Sequence, residues 1–165
     1  MPRAIPGHDP EPIAAAHVLV TRPFRVIPEL DRFIQGALIG VTEELVRGGY
    51  DWMGVADAEP AGADEVRERL VELNARRPGT AAIHFTFVEA PTLVGFGTAY
   101  TAITCTVYGP SGTVVLHADL EVPQRRRILD FLLPRLRPDV DGRVWLAREW
   151  RARLAATFPP RGGRT

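Results

Sequence analysis

From Thr113 to Val122 apolar and polar side chains alternate, with Val114, Leu116, Ala118 and Leu120 on one side and His117, Asp119 and Glu121 on the other. Such alternation marks a β-strand with one buried face. The run from Thr98 to Tyr108 has the same character, and "GPSG" (109–112) between the two reads as a turn. A third extended run, "AAIHFTFVEA" (81–90), precedes them, so the three together predict an antiparallel meander.

Other stretches carry a helical spacing. In "IPELDRFIQGALIGVTEELVRGG" (27–49), Leu30, Phe33, Ile34, Ala37, Leu38, Val41 and Leu45 recur every three or four residues. Pro28 suits the first helical position, Glu29 and Asp31 suit the positive end of the dipole, and Gly48-Gly49 supplies the stop. Gly36 and Gly40 predict a close approach of this helix to a sheet. A shorter helix is predicted over 64–77, capped by Asp64, with Val66, Leu70 and Leu73 facing inward. Two more are predicted at the C-terminal end, "PQRRRILDFLLPRLR" (123–137) and "VWLAREWRARLAATF" (144–158); the second shows Leu146, Trp150, Leu154 and Phe158 as a stripe. An N-terminal strand is predicted in "AHVLVTRPF" (16–24), and "YDWMGVADAEPAGA" (50–63) reads as a connection.

The expected architecture is therefore α+β: an N-terminal strand, two helices, a three-stranded antiparallel meander packed on helices, and two C-terminal helices. Residues 1–15, with four prolines, read as an irregular arm, 16–158 as one domain, and 159–165 as a flexible tail. The order of strand, long helix and meander resembles the hotdog layout used in acyl-thioester chemistry. The extra helix at 64–77 and the small number of strands depart from it.

Candidate chemistry follows from the strand registers. If Gly109–Gly112 is the whole second turn, Thr104 faces His117, Ala102 faces Asp119 and Tyr100 faces Glu121. Placing Ile83, Phe85 and Phe87 on the core face, with large residues opposite small ones, sets Phe85 against Ala99 and His84 against Tyr100. The polar face then holds a row, His84–Tyr100–Glu121, across three strands. An imidazole, a phenol and a carboxylate in line can move a proton, so these three are the candidate catalytic residues. Thr104, His117 and Asp119 on the same face, with Trp52 in the connection, are candidate substrate contacts. The same residue types are also ordinary on a solvent-facing or partner-facing sheet. In this register His84 and His117 lie roughly 16 Å apart, which argues against a shared metal ion.

Charge adds a second theme. The net charge is zero, yet residues 122–165 hold eleven arginines against four acids, a net +7 that the rest of the chain offsets with −7. All 20 basic residues are arginine. Arg125, Arg126 and Arg127 open a predicted helix where cations oppose its dipole, which makes them a candidate anion contact. The alternative is that basic helices neutralise the acidic body of the same chain or of a second copy.

Composition excludes several classes. With 45% hydrophobic residues, 24% charged and no long apolar run, the chain reads as soluble, without a membrane partner. The single cysteine, Cys105, falls on the core side of its strand and forms no internal disulfide; the cytoplasm is the default compartment. No cofactor or metal motif is present: "GFGT" (95–98) lies in a strand with no helix after it. Two function classes remain. One is a small cofactor-independent enzyme doing acid/base chemistry on a small organic or acyl substrate at the polar sheet face. The other is a non-catalytic module that docks an acidic partner protein through its arginines or its polar face, or that self-associates. Nucleic acid is not the expected partner.

Overall fold

A computed structural model of the chain describes residues 11–22, 28–58, 63–91, 98–123 and 138–162, with backbone alone at 88–91 and 98–102. Its centre is a five-stranded mixed sheet in the order β2-β1-β3-β4-β5. The strands are β1 (Ala15–Thr21), β2 (Asp51–Asp57), β3 (Thr80–Pro91), β4 (Thr98–Tyr108) and β5 (Val114–Glu121). The helices are α1 (Pro28–Arg47), α2 (Ala63–Arg76) and α3 (Gly142–Glu149), the last continuing as a π-helical turn over Trp150–Leu154. The predicted meander is present as β3–β4–β5, but it is only part of the sheet. β1 pairs in parallel with both β2 and β3. The predicted helix at 123–137 lies almost wholly outside the described residues.

The strand β2 replaces what reads in sequence as a connection. "DWMGVAD" lacks alternation because the strand is an edge with a register shift beside it, and Gly54 there takes φ +97. Chain reversal at this edge explains the layers. Travelling from β1 to β2 and then back past β1 to β3, two right-handed crossovers put their helices on opposite sides of the sheet. The apolar stripe of α1 (Leu30, Phe33, Ile34, Val41, Leu45) packs with Val18, Val20, Ile83, Ile103 and Leu120 on one face. On the other face α2 sets Val66 and Leu70 over Leu19, Ala82 and Tyr108. β1, covered on both sides, is buried throughout.

The glycines of α1 face a helix rather than the sheet. A Cβ on Gly36 would stand 3.1 Å from the Arg143 nitrogen, and one on Gly40 would stand 3.0 Å from Leu146 Cδ2. Gly142 reciprocates, since a Cβ there would fall 1.9 Å from the Phe33 carbonyl oxygen. Three glycines thus let α1 and α3 approach backbone to backbone. Asp141 begins α3 by accepting from the amides of Arg143 and Val144. The predicted stripe Leu146, Trp150, Leu154 and Phe158 is buried. At its other end α1 stops on Gly49, φ +79, with the Tyr50 amide bonded back to the Leu45 carbonyl.

Asn74 ties α2 down. Its amide donates to the carbonyls of Thr80 and Pro110, and its carbonyl accepts from the Thr80 amide at 3.0 Å, joining helix, β3 and the β4–β5 turn. The tail residue Arg161 is held as well: its amide donates to the Gly48 carbonyl and its guanidinium lies over the Tyr50 ring. No helix among the described residues is long and apolar enough to cross a membrane.

Candidate functional site

The sheet registers decide which polar residues meet. Between β4 and β5, Thr106 stands opposite His117, Thr104 opposite Asp119 and Ala102 opposite Glu121. The hairpin loop takes in Thr113, so that Tyr108 faces Val114, and a register shift follows before Val107 meets Leu116. Each step displaces the pairing by one residue, so the side chains keep their faces but lose their expected partners. Between β3 and β4, His84 lies opposite Thr106, and Phe85 and Phe87 lie opposite Cys105 and Ile103. The strands run on to Pro91 and Thr98, so the hairpin centre lies further along than the match of large with small residues predicts.

The row His84–Tyr100–Glu121 is accordingly not assembled. Tyr100 pairs with Glu89, roughly 20 Å along β4 from Thr106, the residue opposite His84. The side chain of Tyr100 lies outside the described atoms, as do residues Arg125, Arg126 and Arg127. Trp52 sits on the far edge strand against the α1 side of the core, away from Thr104, His117 and Asp119. What the sheet does bring together is two rows on the face opposite α1. One runs Leu19–His84–Thr106–His117, the other Thr21–Thr86–Thr104–Asp119. His84 and His117 therefore share a row two strands apart, about 10 Å by strand spacing and nearer than expected. No group of three or more His, Cys, Asp or Glu among the described residues is placed to hold a metal ion.

At the inner end of these rows His84 is buried. Its Nε2 lies 2.8 Å from the Thr21 hydroxyl and 3.3 Å from that of Thr86. Burial pulls its pKa below the ordinary histidine value, partly countered by the negative charge of Glu65 on α2, so the ring is neutral near pH 7. His17, also buried, bonds through Nδ1 to the Met53 carbonyl oxygen at 3.1 Å, and burial lowers its pKa too. Thr21 and Thr86 were missed in sequence. Thr86 could have been found, two residues from His84 on the same face; Thr21 needed the parallel β1–β3 pairing, which no local pattern reveals.

At the outer end the groups face solvent. The Thr106 hydroxyl lies 2.9 Å from His117 Nδ1, and Thr104 donates to Asp119 at 3.3 Å. His117, Asp119 and Glu121 are exposed, while Thr104 and Thr106 are half-buried. The charges on this part of the face are acidic. Of the C-terminal arginines, Arg143 pairs with Glu43, and Arg148 and Arg153 pair with Glu149. Those three are engaged within the chain itself.

The sheet's other face holds a small, partly open apolar recess between α1, α3 and the strands. Val20, Leu38, Phe85, Phe87 and Trp145 are among its lining residues. Cys105, on that same side, is fully buried, and burial pushes its thiol up to about 12, which leaves it protonated and unreactive. No protein-family model matches the chain, and no curated protein or solved structure matches it either.

Proposed function

We propose that the protein is an interaction module whose open polar sheet face, over β4 and β5, docks a partner that presents cationic and hydrogen-bond-donating groups. One observation carries the reading: the face is floored by Thr104 and Thr106 and rimmed by exposed Asp119 and Glu121, with Glu65 of α2 near its inner end. Threonines offer hydrogen bonds and the carboxylates set the sign of the field, which favours a basic partner over an acidic one. Of the arginines that an acidic partner would need, Arg143, Arg148 and Arg153 already face Glu43 and Glu149, and Arg125, Arg126 and Arg127 lie outside the described residues. We place this docking in the cytoplasm, the default for a chain with a single thiol.

The test uses synthetic peptides as probes. An arginine-rich decapeptide should bind, a glutamate decapeptide should not, and added salt should weaken the complex. Glu65→Gln together with Glu121→Gln should lower affinity by about tenfold, with the fold intact by circular dichroism. Binding of the glutamate peptide instead would overturn the reading.

A second reading, acid/base chemistry on a small organic or acyl substrate, keeps one specific support. Thr21, His84 and Thr86 cluster at the C-terminal end of β1, beside a parallel neighbour. The crevice in which ligands of α/β sheets bind opens where neighbouring parallel strands send their connections to opposite faces, as β1 does through α1 and β2 through α2. A neutral imidazole there is a base in waiting. His84→Gln would then abolish turnover by about 10²-fold or more, while Tyr100 and Glu121 would serve only through the substrate.

A further inference from the structure

Both sheet edges are strands, and they differ in how they are closed. At β2 the register is broken beside Gly54, and its terminal residues Asp51 and Asp57 are clamped by Arg77 and Arg22. Bulges and engaged charges are how natural sheets stop further pairing. β5 runs uninterrupted along Leu116–Glu121, with no proline, glycine or register shift, and its charged side chains, Asp119 and Glu121, project from the polar face. Nothing among the described residues pairs beyond it. Leu116 and Ala118, on the core side, remain only partly buried, and Val115 is 43% exposed.

Its sequence is nearly its own complement. Read in either direction from Ala118, Leu116-His117-Ala118-Asp119-Leu120 runs apolar, polar, small, polar, apolar, with an imidazole exchanged for a carboxylate. We infer that β5 pairs antiparallel with β5 of a second copy about a two-fold axis at Ala118, joining two sheets into one of ten strands. Opposite residues of an antiparallel pair share a face, so the axis must keep polar residues against polar ones. Centred on Ala118, His117 of each copy meets Asp119 of the other twice, and Leu116 meets Leu120. Centred on His117, the imidazoles face each other; centred on Asp119, two carboxylates do. The second copy is favoured by that complementarity.

The intrachain bonds point the same way. In the tautomer whose Nδ1 accepts from the Thr106 hydroxyl 2.9 Å away, His117 carries its proton on Nε2 and can give it outward. Asp119 accepts from Thr104 through one oxygen and keeps the other. The strand edge and the docking face share Asp119, but sedimentation and cross-linking report on the edge alone, so failure of one reading is distinguishable from failure of the other.

Two measurements test it, both without peptide. Sedimentation of the full chain across a concentration series should show a monomer–dimer equilibrium, and His117→Asp should weaken it on the order of tenfold. Single-cysteine scanning then reads the axis. Opposed residues on paired strands lie about 4.5–5.5 Å apart at Cα, within the span of a disulfide. Ala118→Cys should therefore cross-link fastest under mild oxidation, ahead of His117→Cys and Asp119→Cys, with buried Cys105 silent. A wild-type chain that stays monomeric at its highest soluble concentration would overturn the inference. So would cross-linking led by either neighbour.

Discussion

The two faces of the sheet bury their residues differently. On the α1 side the cover is dense everywhere but the β5 edge: Trp145, Leu146, Val41 and Leu45 are each 1% exposed or less, and three glycines press the two helices together. On the α2 side one helix covers one end with a small cluster, and the sheet then runs out from beneath it into a polar field. Burial of apolar area supplies most of a domain's stability. The α1 side therefore holds the fold, and the polar field is free to vary with little effect on it. A molecule can keep its binding surface and its core on one sheet because side chains alternate.

The largest effect should come from the helix crossing. Gly142→Ala puts a methyl group 1.9 Å from a backbone oxygen, and we expect a loss of roughly 3 kcal/mol or more in urea denaturation. Gly162→Ala, with nothing within 4 Å, should change stability by less than about 0.5 kcal/mol. Equal midpoints for the two would dissolve the contrast between a packed and an open region.

Next comes β5 itself, where one strand samples both conditions. Leu120 is fully buried, and its truncation to alanine should cost about 2–5 kcal/mol. Leu116→Ala, half-covered at the edge, should cost roughly 1–2 kcal/mol, in proportion to the area it hides. A Leu116 variant as damaged as the Leu120 one would mean that the edge is not an edge.

Acid should reveal the buried histidines. His17 and His84 have pKa values lowered in the folded state from 6.5, so the unfolded chain binds protons first. Their stability contribution is complete above about pH 6.5 and is lost as pH falls from there toward the folded values. Denaturation midpoints at a series of pH values should show the decline, and a His17→Gln, His84→Gln double variant should flatten it. A slope unchanged in that variant would assign the acid sensitivity elsewhere. The smallest effect belongs to the open field: Thr106→Ala should stay within about 0.5 kcal/mol by thermal melting. A larger loss would show the polar face to be structural.

Much of this was readable in the chain. The period of α1, the stop of α2, and the core side of β3–β5 all follow from local spacing, because a face is a property of one element. The expected Asp64 cap does not form, since α2 already begins at Ala63 and the Asp64 carboxylate pairs with Arg67. Partners are a property of two. The displacement at Thr113 and the adjoining register shift turn Thr104–His117 into Thr106–His117, and no single strand records that. β2 escaped because an edge strand with an irregular centre has no face to alternate. The parallel pairings of β1 escaped because they join segments dozens of residues apart. Hence His84, His117 and Asp119 were placed on the correct face, while the row through Tyr100 was not formed.

One seam has a bearing on time rather than energy. Arg161 bonds the Gly48 carbonyl through its amide and the Ala14 carbonyl through its guanidinium, while the Tyr50 hydroxyl donates to the Pro159 carbonyl at 2.6 Å. These bonds fasten late residues of the chain onto the start of β1 and the end of α1. Contacts so distant in sequence close large loops at an entropic cost, so they should form late, after the folding barrier has been crossed. Bonds absent at the barrier do not hasten folding; they slow escape from the finished state. The seam should thus act as a latch, setting how long a folded molecule lasts before it opens rather than how quickly it first forms.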